Sequence, residues 1–293
     1  MAQRYDRAAE DLGNLVALEH VNVQIPDQVV STLFYVTGLG LTRDPYVMTG
    51  TENMWINVGR SQFHLPTGKP QVLRGHVGLV LPDRTALLGR LAKVERRLAG
   101  TDFGFCALND HVEVVSPWGN RLRCYEPDPP RFGRIALGMP YVEFEVPPGS
   151  ADGIVRFYRQ ALVAPATVED SGQGRAARIA VGVDQEFVFR ETEGAQPPYD
   201  GHHVQIYLAD FSGPHRWLSE RGLVFEESDQ HQYRFKDIVD PEDGRVLFTI
   251  EHEVRSMRHP LYARPLVNRN PAQTNLNYAP GHDAWSWGLP HQS

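Results

Sequence analysis

The sequence predicts an α+β protein built from four βαβββ modules in two tandem domains, and three observations carry that expectation. First, an alternating strand that opens on histidine and runs into a helix start occurs at Gly75-His76-Val77-Gly78-Leu79-Val80-Leu81-Pro82-Asp83. Its outline recurs at His20-Val21-Asn22-Val23-Gln24-Ile25-Pro26-Asp27 and at His203-Val204-Gln205-Ile206-Tyr207-Leu208-Ala209-Asp210. A further copy, Tyr141-Val142-Glu143-Phe144-Glu145-Val146-Pro147, keeps the alternation with Tyr in place of His. Second, each histidine copy places an Asp seven residues after the His, where it can cap the following helix. Third, the copies start 56, 65 and 62 residues apart, longer than a solenoid repeat and suited to a βα unit followed by strands.

Residues 1–14 are charged and Ala-rich and read as a short arm. Module one, 15–70, has a strand over 15–25, a helix opened by Asp27 and closed near Gly38, and strands near 41–48, 53–58 and 61–66. Module two, 71–128, starts at the His76 strand. Its helix carries Leu87, Leu91, Val94 and Leu98 at helical spacing before Gly100. Strands near 103–108, 111–115 and 121–126 follow, the last two joined by the turn Ser116-Pro117-Trp118-Gly119-Asn120. Pro127, Pro129 and Pro130 interrupt the pattern, which places the domain boundary there. Module three, 134–196, reads as strand 139–146, a helix from about Asp152 to Leu162, and strands near 166–169, 176–181 and 186–190. Module four, 197–254, has the His203 strand, a helix holding Trp217 and Leu218, and strands near 223–227, 232–237 and 246–252. The domains expected are therefore 15–128 and 134–254. Residues 255–293 form an aperiodic extension in which Trp285 and Trp287 are suited to covering an apolar patch.

Composition excludes several classes. The 293 residues are 41% hydrophobic and 22% charged, as in globular proteins, with a net charge of −7 and no cluster of Lys and Arg for phosphate binding. The two cysteines, Cys106 and Cys124, do not make a disulfide scaffold. No apolar run is long enough to span a bilayer, and the first 13 residues are too polar for a signal peptide, so a cytoplasmic protein is expected.

The four modules, the histidine-opened first strands and the Pro-x-Gly-Asn-Arg turn before a last strand together resemble the vicinal oxygen chelate superfamily, which includes glyoxalase I and type I extradiol ring-cleaving dioxygenases. Over residues 15–253 the resemblance implies curved mixed sheets forming half-barrels around a central cavity. It also implies a divalent metal held by first and last strands of paired modules, with one side open to substrate oxygens. Four modules in this length look most like the extradiol enzymes. The function implied is a metal-dependent dioxygenase that cleaves a small aromatic diol, catechol or hydroquinone, with Fe(II) as cofactor and Mn, Zn or Ni as alternatives. A metal-free small-molecule binder and a glyoxalase-like lyase or isomerase stay open as other readings. A homodimer through exposed sheet edges is also compatible.

His20, His76 and His203 occupy the first-strand ligand position of such modules, and His64 falls where a last-strand ligand would stand. The arrangement of hydroquinone-cleaving relatives, first-module His with fourth-module His and Glu, implies His20, His203 and Glu251, a complete two-His-one-carboxylate set. The alternative set is His20, His64 and His76, which lacks a carboxylate because Arg123 stands where one is expected. His231 resembles a nearby acid–base histidine. Arg123 and Tyr141 occupy former ligand positions and are expected to bind substrate, Arg123 through an anionic group.

Overall fold

The computed structural model describes residues 6–44, 47, 52–264 and 266. Trp285 and Trp287 lie outside the described residues. A short 3-10 turn, Ala8–Glu10, precedes module one, whose strands are β1 (Leu15–Asn22), β2 (Thr42–Arg43), β3 (Asn53–Val58) and β4 (Ser61–Pro66). Module two contributes β5 (Gly75–Val80), β6 (Gly104–Ala107), β7 (Val112–Val115) and β8 (Arg121–Tyr125). Module three contributes β9 (Gly138–Val146), β10 (Ala166–Ser171), β11 (Gly174–Gly182) and β12 (Gln185–Glu191). Module four contributes β13 (His203–Leu208), β14 (Val224–Asp229), β15 (Gln232–Val239) and β16 (Val246–Ser256).

The repeated Asp does cap the helices. Asp27 accepts from the amides of Val29 and Val30 at the start of α1 (Gln28–Ser31), and Asp83 accepts from Ala86 in α2 (Arg84–Glu95). Asp210 accepts from Gly213 in the fourth module's helix. The helix expected over 27–38 is α-helical for one turn only. Thr32–Gly38 continues with wider π-type bonds, and the amide of Leu39 reaches the carbonyl of Phe34 at 2.9 Å. Of the strand expected over 41–48, only Thr42–Arg43 is strand among the described residues.

The sheets do not follow the two halves of the chain. One eight-stranded sheet runs β14-β15-β16-β13-β1-β4-β3-β2, joining modules one and four; the other runs β10-β11-β12-β9-β5-β8-β7-β6, joining modules two and three. The division into 15–128 and 134–254 is therefore corrected to a nested pairing. Its physical reason lies in the proline segment. Pro129 and Pro130 begin a one-turn helix, α3 (Pro129–Phe132), where a missing N–H costs nothing, and the chain turns at once into β9, which pairs with β5. A segment that reads as a boundary is thus a tight connection within one sheet.

The two sheets share one hydrophobic core that includes Leu18, Phe34, Phe63, Leu79, Phe144, Phe187, Phe235 and Ile250, all buried. Gln185 links them, accepting from the amide of Leu18 and donating to the carbonyls of Leu18 and Met139. Helix α4 (Ala151–Ala161) of module three packs on β15 and β16 of module four, and Tyr158 on α4 meets His252 on β16 at 2.6 Å. Period-two alternation on β16 puts His252 and Val254 against this packing and sends Glu251, Glu253 and Arg255 to the opposite face. No helix among the described residues is long and apolar enough to cross a membrane.

Candidate metal centre

Pairing β1 with β13 brings distant histidines together. These strands run antiparallel with His20 opposite Gln205 and Asn22 opposite His203, so a local twofold relates His20 to His203. Strand β4 lies parallel to β1 and sets His64 beside Asn22. The ligand atoms of His20, His64 and His203 all lie within 4.8 Å of one another. Ring centroids of His20 stand 5.7 Å from those of both His64 and His203.

The same register identifies the fourth position. Strand β16 runs parallel to β13, with Glu251 beside His203 and Glu253 beside Gln205. Because the residue two beyond His20 neighbours His64, the residue two beyond His203 neighbours the twofold counterpart of His64, which is Glu253. Its carboxylate is 3% exposed and lies 3.5 Å from His203 Nε2. Glu251, 3.6 Å from His203 Nδ1, is more exposed, and Arg234 is bonded to both glutamates. Parity along β16 admits both glutamates; the sheet register distinguishes them.

Two of the three rings are held from behind. A bulge between Leu18 and His20 turns the Glu19 carboxylate to His20 Nδ1, 3.2 Å away, which leaves Nε2 as the inward lone pair. His64 Nε2 meets Asn53 Oδ1 at 2.8 Å, leaving Nδ1 available. Trp55 stacks on His64 with centroids 3.8 Å apart and sets its ring edge-on to His20. Burial holds the His20 imidazole below its ordinary pKa, and the Glu19 bond only partly offsets this. Burial, reinforced by His20 and His203, drives His64 well below its ordinary value. These two rings are neutral at pH 7, as ligation requires. Burial alone would raise the Glu19 and Glu253 carboxyls; Arg255 and the histidines outweigh it and hold both below the usual range.

These residues fit a divalent metal. Nε2 of His20 and of His203 are buried without a hydrogen-bond partner, an arrangement that costs free energy unless something else accepts the lone pairs. Three imidazoles and a carboxylate would suit Fe, Mn, Ni or Zn.

The expected residues separate into two groups. His20, His64 and His203 converge, and Glu251 stands beside them. His76 does not join them, because β5 lies in the other sheet, where His76 Nε2 contacts the Tyr141 hydroxyl at 3.2 Å. Arg123 and Tyr141 lie in that other sheet too, so neither reaches the histidine cluster. His231 sits in the turn between β14 and β15. Among the described residues, its ring makes no hydrogen bond to the three histidines. Glu19, Trp55 and Glu253 are the residues missed by sequence reasoning; the parallel pairing of last strand to first strand would have pointed to Glu253.

The fold is that of the vicinal oxygen chelate superfamily. The chain is similar to a provisionally assigned dioxygenase from Bacillus subtilis subsp. subtilis str. 168, with 14% identity, 90% of each chain covered and a TM-score of 0.56. It is also similar to glyoxalase I from Zea mays, with 13% identity, 82% of this chain and 92% of that chain covered, and a TM-score of 0.59. No protein-family model and no curated protein matches the sequence.

Proposed function

We propose that this protein is a metal-dependent dioxygenase of the extradiol type that cleaves a small aromatic diol, a catechol or hydroquinone. The observation that carries the reading is the convergence of His20, His64 and His203 with two buried imidazole nitrogens left unpartnered. Glu253 replaces Glu251 as the favoured carboxylate ligand, and Glu251 remains the alternative on the same face.

Fe(II) held here would supply Lewis acidity toward the diol oxygens and one-electron chemistry with dioxygen. The chain's own contribution is orientation. Glu19 and Asn53 fix the tautomers of His20 and His64, and Trp55 walls both rings from water. Arg234 bridges Glu251 and Glu253 and keeps both carboxylates on the face toward His203. The reading assigns His231 no proton transfer. A cytoplasmic location accompanies this reading, since reduced iron suits that compartment.

The test is elemental analysis of protein purified anaerobically without chelator, followed by oxygen uptake with catechol and hydroquinone panels. Expected are about one iron per chain, oxygen consumption with at least one diol, and a loss of metal affinity of at least about 100-fold in His20→Ala, His64→Ala and His203→Ala but not in His76→Ala. Metal retained by all three variants, or no uptake with any diol by the iron-loaded protein, overturns the reading. Zinc or nickel in place of iron would redirect it to lyase or isomerase chemistry.

A further inference from the structure

The second sheet repeats the geometry of the first with different side chains at its centre. There β5 and β9 are the antiparallel first strands, with His76 opposite Glu143 and Gly78 opposite Tyr141, so the local twofold relates His76 to Tyr141. Strand β8 sets Arg123 beside Gly78, and β12 sets Val188 beside Glu143. The four positions that hold His20, His64, His203 and Glu253 in one half hold His76, Arg123, Tyr141 and Val188 in the other. A guanidinium and a valine cannot ligate a cation; a fixed positive charge stands at the centre instead.

Arg123, Tyr141 and Val188 line a cavity of about 820 Å³, within the range of small-molecule sites. Most of its polar wall is already satisfied. Glu143 takes two bonds from Arg190, Glu186 is bonded to Arg178, and Asp110 to Arg131. The Tyr125 and Tyr141 hydroxyls are 2.9 Å apart, and the Tyr141 hydroxyl continues to His76 Nε2, whose Nδ1 faces Glu143 at 4.0 Å. With Nδ1 protonated toward that carboxylate, the chain runs from Tyr125 to Tyr141 to His76, and both hydroxyl protons are used.

Among the four arginines of the wall, Arg123 is the exception. Its one ion pair among the described residues is a long contact of 3.4 Å to Glu113, a side chain 49% exposed. The guanidinium therefore keeps donors for an incoming anion. Beside it the wall is apolar and aromatic, with Phe132, Pro140, Ile179 and Val188, and the Arg131 guanidinium lies over the Tyr125 ring.

We propose that the half-barrel of modules two and three is a metal-free binding site for a small carboxylate with an apolar or aromatic body, its carboxylate held by Arg123. A planar carboxylate matches the guanidinium fork and displaces the exposed Glu113, while the body covers the apolar wall. This site is separate from the histidine cluster and does not depend on its chemistry.

Isothermal titration of the full chain, stripped of metal by chelator, tests this with benzoate as probe and benzyl alcohol as uncharged control. Expected is one saturable benzoate site per chain that persists in His203→Ala, weakens by at least about tenfold in Arg123→Gln, and is not shared by benzyl alcohol. Glu113→Gln, a change on an exposed side chain that leaves the core alone, keeps the test decisive should Arg123→Gln fail to fold. Removing the competing carboxylate should tighten benzoate several-fold. The proposal is overturned by no saturable binding below about 10 mM benzoate, by binding that Glu113→Gln leaves unchanged or weakens, or by binding that His203→Ala abolishes.

Discussion

Replacing Arg255 with Met tests whether charge pairing holds the carboxylates around the histidines. Arg255 is 7% exposed. Its Nη1 donates to Glu19 Oε2 at 2.9 Å, Nη2 lies 2.6 Å from Glu253 Oε1, and Nε donates to Gln232 at 2.9 Å. Met fills similar length without charge. In the variant Glu253 keeps Arg234, whereas Glu19 keeps only the Tyr207 hydroxyl and His20. Breaking a buried pair by removing one partner strands the other, so the expected loss at pH 7 is about 3–5 kcal/mol, mainly from Glu19. The sign with pH follows. In the native protein the Glu19 carboxyl is held below its ordinary value, so its contribution is present above that value and is lost as pH falls through the folded one. The gap between native protein and variant therefore narrows toward acid. Urea unfolding, followed by tryptophan fluorescence at pH 7 and pH 4, measures it. Adding Glu19→Gln to the variant removes the stranded charge and should restore at least about 1 kcal/mol. A loss below about 1 kcal/mol, or single changes that simply add, would refute the assignment of Glu19 as the stranded group.

Other outcomes follow from the packing. Burial pushes the pKa of His252 down to about 3, and its neutral ring is satisfied on both sides by the Tyr158 hydroxyl and the Ile250 carbonyl. The unfolded chain takes up this proton near pH 6.5 and the folded one does not, so stability falls as pH drops between those values. A Tyr158→Phe, His252→Phe double variant should lose about 1.4 kcal/mol per pH unit of that slope in urea titrations, and an unchanged slope would exclude His252 as its source. A Cβ at Gly78 would stand 2.2 Å from the Tyr141 ring, so Gly78→Ala should cost about 1–3 kcal/mol by overpacking and abolish benzoate binding without loss of iron. Cys106 is exposed, while burial pushes the Cys124 thiol up to about 12; a thiol reagent should label one cysteine in the native protein and both in denaturant.

The modules and their helix caps were legible in the sequence because both rest on local chemistry: alternation, a capping Asp, and the spacing of Leu87, Leu91 and Val94. Pairing of modules was not legible. It depends on which strand edges meet after the chain closes, and Pro127, Pro129 and Pro130 read locally as a break. The same gap explains the site. His20 and His203 stood out through the repeat, and His64 through its place on a last strand. His76 shares their motif yet falls in the other sheet, since a motif records a position within a module and says nothing of its partner. Glu251 and Glu253 share one face, so periodicity is blind to the difference and only registration against β13 resolves it.

The nested pairing has a consequence for how the molecule comes into being. Modules two and three are contiguous, so their sheet can assemble as soon as residue 191 has been made, whereas β1 must wait for β13, whose Leu208 lies opposite Leu15. During synthesis the opening module therefore stays without its partner while the inner pair folds, its strand edge and apolar face unsatisfied for most of translation. His203 follows modules two and three in the chain, so His20 and His64 can meet it only after both have been made. Any metal taken up there would bind late, once module four has been made, and a chain truncated before module four would carry His20 and His64 with no counterpart to meet.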